Sequence, residues 1–79
     1  MENNQKLVHS FQEALGIESN LVKDNLTYQS IPEWDSISHM ILISQLEEDF
    51  NVSLETDDVI DLSSVKKARE ILTKIGIIF

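Results

Sequence analysis

Apolar positions along the chain fall into helical stripes separated by stretches where that period is lost. From about Asn4 to Leu15, the residues Leu7, Val8, Phe11, Ala14 and Leu15 recur every three or four positions. That spacing lays them along one face of an amphipathic helix. Asn3 or Asn4 can cap its start, and Gly16 stands where a left-handed residue would stop it. A second helix is predicted from Ser36 to about Phe50, with Asp35 as its N-cap. Its buried stripe is predicted to hold Ile37, Met40, Leu42 or Ile43, Leu46 and Phe50, and Asn51 is its left-handed stop. Ile41 widens the apolar face beyond what a small core needs.

The remainder of the chain is shorter in period. Val52-Ser53-Leu54 reads as an extended piece, and Glu55 to Leu62 as a short helix capped by Thr56. Asp57 and Asp58 suit the positive N-terminal turn of that helix, and Val59, Ile60 and Leu62 are its share of the core. Ser63 or Ser64 then caps a last helix through about Ile75, with Val65, Ala68, Leu72 and Ile75 inward and Ile71 beside them. Gly76 stops it, and the apolar tail Ile77-Ile78-Phe79 either packs on the bundle or frays. Between the first two helices, Ile17 to Asp35 has no helical period, and Pro32 turns Ile31 away from helical geometry. Leu21, Leu26, Tyr28, Ile31 and Trp34 are too apolar for a free linker, so they are read as anchors of a long loop lying across the bundle. The predicted fold is all-α: a small four-helix bundle of three main helices and one short one, with a long loop between helices 1 and 2.

Composition narrows the function. Seventy-nine residues form one domain over 1–79 with a single core. There is no cysteine, hence no disulfide, no thiolate nucleophile and no sulfur-based zinc site. No apolar run approaches the ~20 residues of a membrane span, and the N-terminal segment has the features of no signal peptide. The expectation is a cytoplasmic monomer without membrane attachment. The net charge is −8, and from Asp24 to Val65 there are ten acidic residues and no Lys or Arg. Such a surface repels nucleic acid and steers basic partners towards itself.

Three kinds of chemistry compete for the acidic segment. Hydrolysis through Ser36 would need a base and a group to orient it. His39 follows Ser36 by three residues, but no carboxylate is placed to orient it and no glycine-rich turn offers an oxyanion hole. His39 is therefore read as an exposed or partner-facing residue. Calcium binding is suggested by the alternation Asp49, Asn51, Ser53, Glu55, Asp57, yet Leu54 stands where the loop needs glycine and Ile60 where it needs a bidentate glutamate. The third is modification of Ser36, whose hydroxyl sits at the positive end of a helix dipole that favours phosphate.

The run Ile31-Pro32-Glu33-Trp34-Asp35-Ser36-Ile37-Ser38-His39-Met40 resembles acyl carrier proteins, which carry Asp-Ser-Leu or Asp-Ser-Ile at the start of their second helix. Leu46-Glu47-Glu48-Asp49-Phe50, Asp57-Asp58-Val59 and Ser63-Ser64-Val65 are similar to later parts of that family, in the same spacing. The resemblance implies a carrier and no enzyme. Ser36 would receive 4′-phosphopantetheine from coenzyme A through a magnesium-dependent phosphopantetheinyl transferase, and the arm's thiol would hold an acyl group as a thioester. Asp35 would lie near the magnesium and phosphate during transfer, and Ile37 beside the arm. Glu47, Glu48, Asp49, Asp57 and Asp58, with Asp61, would meet basic patches on acyl-loading and acyl-transferring enzymes, and Ile41 would offer a partner an apolar contact. Ser38 and Ile41 replace acidic residues common in fatty-acid carriers, so the wording looks more like a specialised carrier of secondary metabolism or surface-sugar acylation. The alternatives are an unmodified acidic interaction module and a peptidyl or aminoacyl carrier. The latter usually has glycine where Trp34 stands.

Overall fold

The computed structural model describes residues 2–79. Its regular elements are helices, with no strand among the described residues: α1 (Asn3–Leu15), α2 (Ser36–Phe50), α3 (Thr56–Asp61) and α4 (Val65–Lys74), plus one 3-10 turn at Ser19–Leu21. The all-α four-helix reading holds. Leu7, Phe11 and Leu15 of α1 share one core with Leu42, Ile43, Leu46 and Phe50 of α2 and with Val65, Ala68, Ile71 and Leu72 of α4.

The helix ends follow the predicted signals in part. Gly16 stops α1 in the left-handed region at φ 66°, its N–H bonded to the Gln12 carbonyl, and Asn51 stops α2 at φ 53°. Asp35 caps α2 and Ser64 caps α4. Two caps differ from expectation. Glu2, not Asn3 or Asn4, precedes α1. Glu55, not Thr56, precedes α3, where its N–H reaches the Asp58 carboxylate at 3.4 Å.

Several residues expected inside are outside. Ile37 and Met40 of α2 are exposed, because the inward line at that end of the helix runs through His39 instead. Ile60 is exposed on α3, whose contact with the core is made by Val59 and the following Leu62. Ile75 is exposed because α4 ends at Lys74. Gly76, at φ 110°, then turns the chain so that the Ile77 N–H bonds the Leu72 carbonyl at 2.9 Å and Ile77 packs on the core. Ile71, expected at the flank, is buried. The tail packs beyond that point too: Asn3 Nδ2 donates to the Ile78 carbonyl at 2.8 Å, and the Phe79 ring lies 6.1 Å from that of Phe50.

The long first connection is pinned at both ends. Leu26 and Trp34 are buried, with Tyr28 and Ile31 packed at the edge of the core. Leu21 is exposed and its neighbour Val22 takes the buried place. Backbone bonds from Tyr28 N–H to the Ser63 carbonyl and from Val65 N–H to the Leu26 carbonyl tie the loop to the start of α4. A nineteen-residue loop is thus held by apolar anchors and by backbone pairing, which satisfies polar groups a packed loop would otherwise leave unpaired.

Candidate functional site

Ser36 is the first residue of α2, and the chain switches from interior to surface across three positions to present it. Trp34 is 0% exposed, with its indole edge-on to Phe11 at 5.4 Å between ring centres. That anchor fixes the end of the loop. Asp35 follows in extended geometry, φ −103° and ψ −173°, and its Oδ1 accepts the Ser38 N–H at 2.8 Å. Ser36 then starts the helix on the surface, and Ile37 beyond it is 73% exposed. Asp35 is held below the ordinary carboxylate value by the Ser38 N–H first, with help from the Ser38 hydroxyl and the Ile37 N–H. A dependable negative charge therefore stands beside the hydroxyl.

Ile37, Met40 and Ile41 on α2 and Ile60 on α3 are apolar and exposed. A cleft of about 240 Å³ is lined by Tyr28, His39, Val59, Ile60, Leu62 and Ser63, of which His39 is on α2 three residues after Ser36. His39 is not the free surface residue that its position beside Ser36 suggested. The Trp34 indole N–H donates to its Nδ1 at 3.0 Å, and Nε2 lies 2.9 Å from the Val59 carbonyl. Since Nδ1 accepts, the proton must sit on Nε2 and donate to Val59. One imidazole so joins the loop, α2 and α3. The sequence carries a sign of this: His39, Ile43, Leu46 and Phe50 are spaced four, three and four apart, so the histidine begins the inward stripe.

The acidic residues divide into two groups. Glu48, Asp57 and Asp61 are exposed. Glu47, Asp49 and Asp58, expected on the same surface, are engaged within the molecule. Glu47 Oε2 accepts the Leu54 N–H at 2.8 Å. The Asp49 carboxylate accepts from the Gln45 amide and from the hydroxyl of the buried Ser10 on α1. Asp58 is 5% exposed, and Lys74 Nζ meets it at 2.8 Å. That contact lowers the Asp58 pKa and raises that of Lys74. Ser10 and Asp58 were not anticipated as interior residues. Ser10 could have been found from its place on the stripe of Leu7 and Phe11.

The residues present suit a phosphodiester at Ser36. The hydroxyl is on the surface at the N-terminus of a fifteen-residue helix, where backbone dipoles favour negative charge, and the cap of that helix is already supplied by Asp35. No curated protein is similar enough to the chain to stand as a relative. A family model described as the phosphopantetheine attachment site matches residues 5–68, from the first helix through the middle of the last. Members of this family bear 4′-phosphopantetheine and serve as carriers rather than catalysts. With four helices in place and the match covering most of its length, the chain belongs to the phosphopantetheine attachment family.

Proposed function

We propose that the chain is an acyl carrier domain over 1–79 in which Ser36 bears the 4′-phosphopantetheine arm. One observation carries the assignment: inside the matched span, Ser36 is an exposed hydroxyl at the start of α2, fixed between the buried Trp34 and the surface residue Ile37. During modification, Ser36 Oγ forms a bond to the phosphorus nearest the pantetheine of coenzyme A. The bond to the other phosphate breaks, adenosine bisphosphate leaves, and the hydroxyl proton passes to the transferase or solvent. Asp35, held charged by the helix start, would assist a magnesium ion of the transferase. The arm supplies a terminal thiol that holds an acyl group as a thioester, which suits a chain with no cysteine of its own.

Partner enzymes with basic patches meet the exposed side of α2 and α3. Ile41, Glu48, Asp57 and Asp61 are the residues free to contact them, with Ile37 beside the arm. Glu47, Asp49 and Asp58 contribute indirectly, since their carboxylates are taken by Leu54, Ser10 and Lys74. Exposed ion pairs contribute ~0.2–1 kcal/mol each, which favours quick, reversible docking over tight binding. An acyl carrier fits better than a peptidyl one because the position that usually holds glycine in the latter is the buried Trp34. The absence of acidic residues at Ser38 and Ile41 favours a specialised carrier over a fatty-acid one.

The test is an intact-mass measurement after incubation with coenzyme A, magnesium and a broad-range phosphopantetheinyl transferase. The expected outcome is a gain of one phosphopantetheine, abolished in Ser36→Ala. No gain under conditions that modify a control carrier would leave an unmodified interaction module as the reading.

A further inference from the structure

We propose that His39 is a positioning residue for the modification of Ser36, acting through Trp34 to hold the serine in place where α2 begins. The inference rests on Ser36 bearing the arm. Ser36 is exposed at the first position of α2, so its place is set by the backbone on either side of it. Two side-chain ties are nested around that position. The inner one runs from the Ser38 N–H to Asp35 Oδ1 at 2.8 Å. The outer one runs from the Trp34 indole N–H to His39 Nδ1 at 3.0 Å. Backbone bonds secure the near side of the outer tie. The Trp34 carbonyl accepts the Gln29 N–H at 3.0 Å, and the Trp34 N–H donates to the Ile31 carbonyl at 3.2 Å. On the far side, His39 Nε2 donates to the Val59 carbonyl at 2.9 Å. A serine inside both ties is thereby placed relative to the loop and to α3.

The outer tie needs a group with an acceptor for the indole and a donor for the carbonyl, and a neutral imidazole has both on one rigid ring. An apolar side chain of the same bulk could keep part of the contact between the rings, which lie 6.1 Å apart at their centres and 22° from parallel. It could not accept from the indole N–H. Trp34 is fully buried, and an unpaired donor there is costly, so the turn Trp34-Asp35-Ser36 would gain other arrangements that relieve it. Phosphoryl transfer requires the attacking oxygen in line with the phosphorus, and a misplacement of about 1 Å can cost up to roughly a hundredfold in rate. Arrangements that shift Ser36 Oγ therefore leave the carrier docked but unreactive. The exposed docking residues Ile41, Glu48, Asp57 and Asp61 lie outside the tie. Its loss slows the chemical step and leaves association with the transferase in place.

The test measures phosphopantetheine transfer from coenzyme A in a single turnover, with magnesium and a broad-range transferase in excess over the carrier. The limiting rate reports the chemical step, and the transferase concentration that gives half of it reports association. His39→Leu should slow the step about three- to tenfold, the equivalent of one lost hydrogen bond, with the half-rate concentration within about twofold of wild type. His39→Gln, whose amide carries an acceptor and a donor, should recover most of the rate. The indole N–H of the single tryptophan should exchange with solvent slowly in wild type and His39→Gln, and faster in His39→Leu. Leu72→Ala, a core truncation on α4, controls for stability and should keep the wild-type rate at a temperature where it is folded. Should His39→Leu not fold, Trp34→Phe removes the indole N–H alone and should show the same slowing. An unchanged limiting rate in the folded variant, or a change in the half-rate concentration alone, would overturn the positioning role. Equal slowing in Leu72→Ala, indole exchange as slow in His39→Leu as in wild type, or a His39→Gln no faster than His39→Leu would overturn it too. A wild-type chain that gains no phosphopantetheine would overturn the carrier reading and the inference with it.

Discussion

Along the face between α1 and α2, the core contains Leu7, Phe11, Leu15, Leu42, Ile43, Leu46 and Phe50, all buried and all apolar. Around α3 the inventory is different. The short helix offers the core little beyond Val59, leaves Ile60 in solvent, and is held by polar ties on three sides. His39 reaches its Val59 carbonyl, Glu47 holds the Leu54 N–H just before it, and Lys74 meets its Asp58. Apolar burial is non-directional and strong in sum, whereas a hydrogen bond contributes about 0.5–1.5 kcal/mol net and can be exchanged for water. The half that must keep its shape uses the first kind of contact. The corner beside Ser36 and the cleft, where an arm, a cargo and partner enzymes would meet, uses the second.

The widest gap between the two regions should come from truncating the core. Leu46 is fully buried, and Leu46→Ala should cost about 2–5 kcal/mol through lost burial and the cavity left behind. A domain of this size has a total stability near the lower end of about 5–15 kcal/mol, so urea unfolding should begin in almost no denaturant. A wild-type midpoint in Leu46→Ala would mean that the α1–α2 face is not the main source of stability. Glu47 and Glu48 sharpen the comparison within one turn of α2. Glu47→Ala removes the acceptor for the Leu54 N–H and should cost about 1 kcal/mol, a fall in melting temperature of roughly 4–8 °C. Glu48→Ala, at an exposed position, should stay within about 0.5 kcal/mol of wild type, yet weaken the use of partner enzymes. Equal stability losses in the two variants would contradict the division of the acids into internal and external groups.

The same division explains which features are legible in the sequence alone. Helix spans, the glycine and asparagine stops, and the caps Asp35 and Ser64 follow from local rules, because each depends on a few adjacent residues. Ser36 and its exposure followed from position, and its family meaning from the run around it. What escaped were residues whose partners are far along the chain. Ser10 finds Asp49, Asp58 finds Lys74, and His39 finds Trp34 and Val59. A polar side chain on an apolar stripe announces only that some partner exists. Ile37, Met40 and Ile60 erred in the opposite direction: periodicity marks a residue as able to be buried, and whether another element covers it is decided by tertiary packing.

Among the internal polar ties the smallest effect should come from that between Asp58 and Lys74, since Lys74 is largely in solvent and the pair is screened there. Its sign with pH is still definite. Asp58 is pulled below its ordinary value of 3.8, chiefly by the Lys74 hydrogen bond, so its stabilising share is whole above that value and is lost as the pH falls through the folded one. Lys74 is pushed above 10.5 by the same contact, so its share is whole below 10.5 and is lost as the pH rises through the folded value. The melting temperatures of wild type and Asp58→Asn should therefore differ by a constant, small amount from about pH 5 to pH 10. They should converge in more acid and in more alkaline solution. Hydrogen exchange at neutral pH should place the loss in α3 and its flanks, with α1 and α2 amides unchanged. If protection fell equally in α1, the α3 corner would not be the separately tethered part of the bundle that its polar contacts describe.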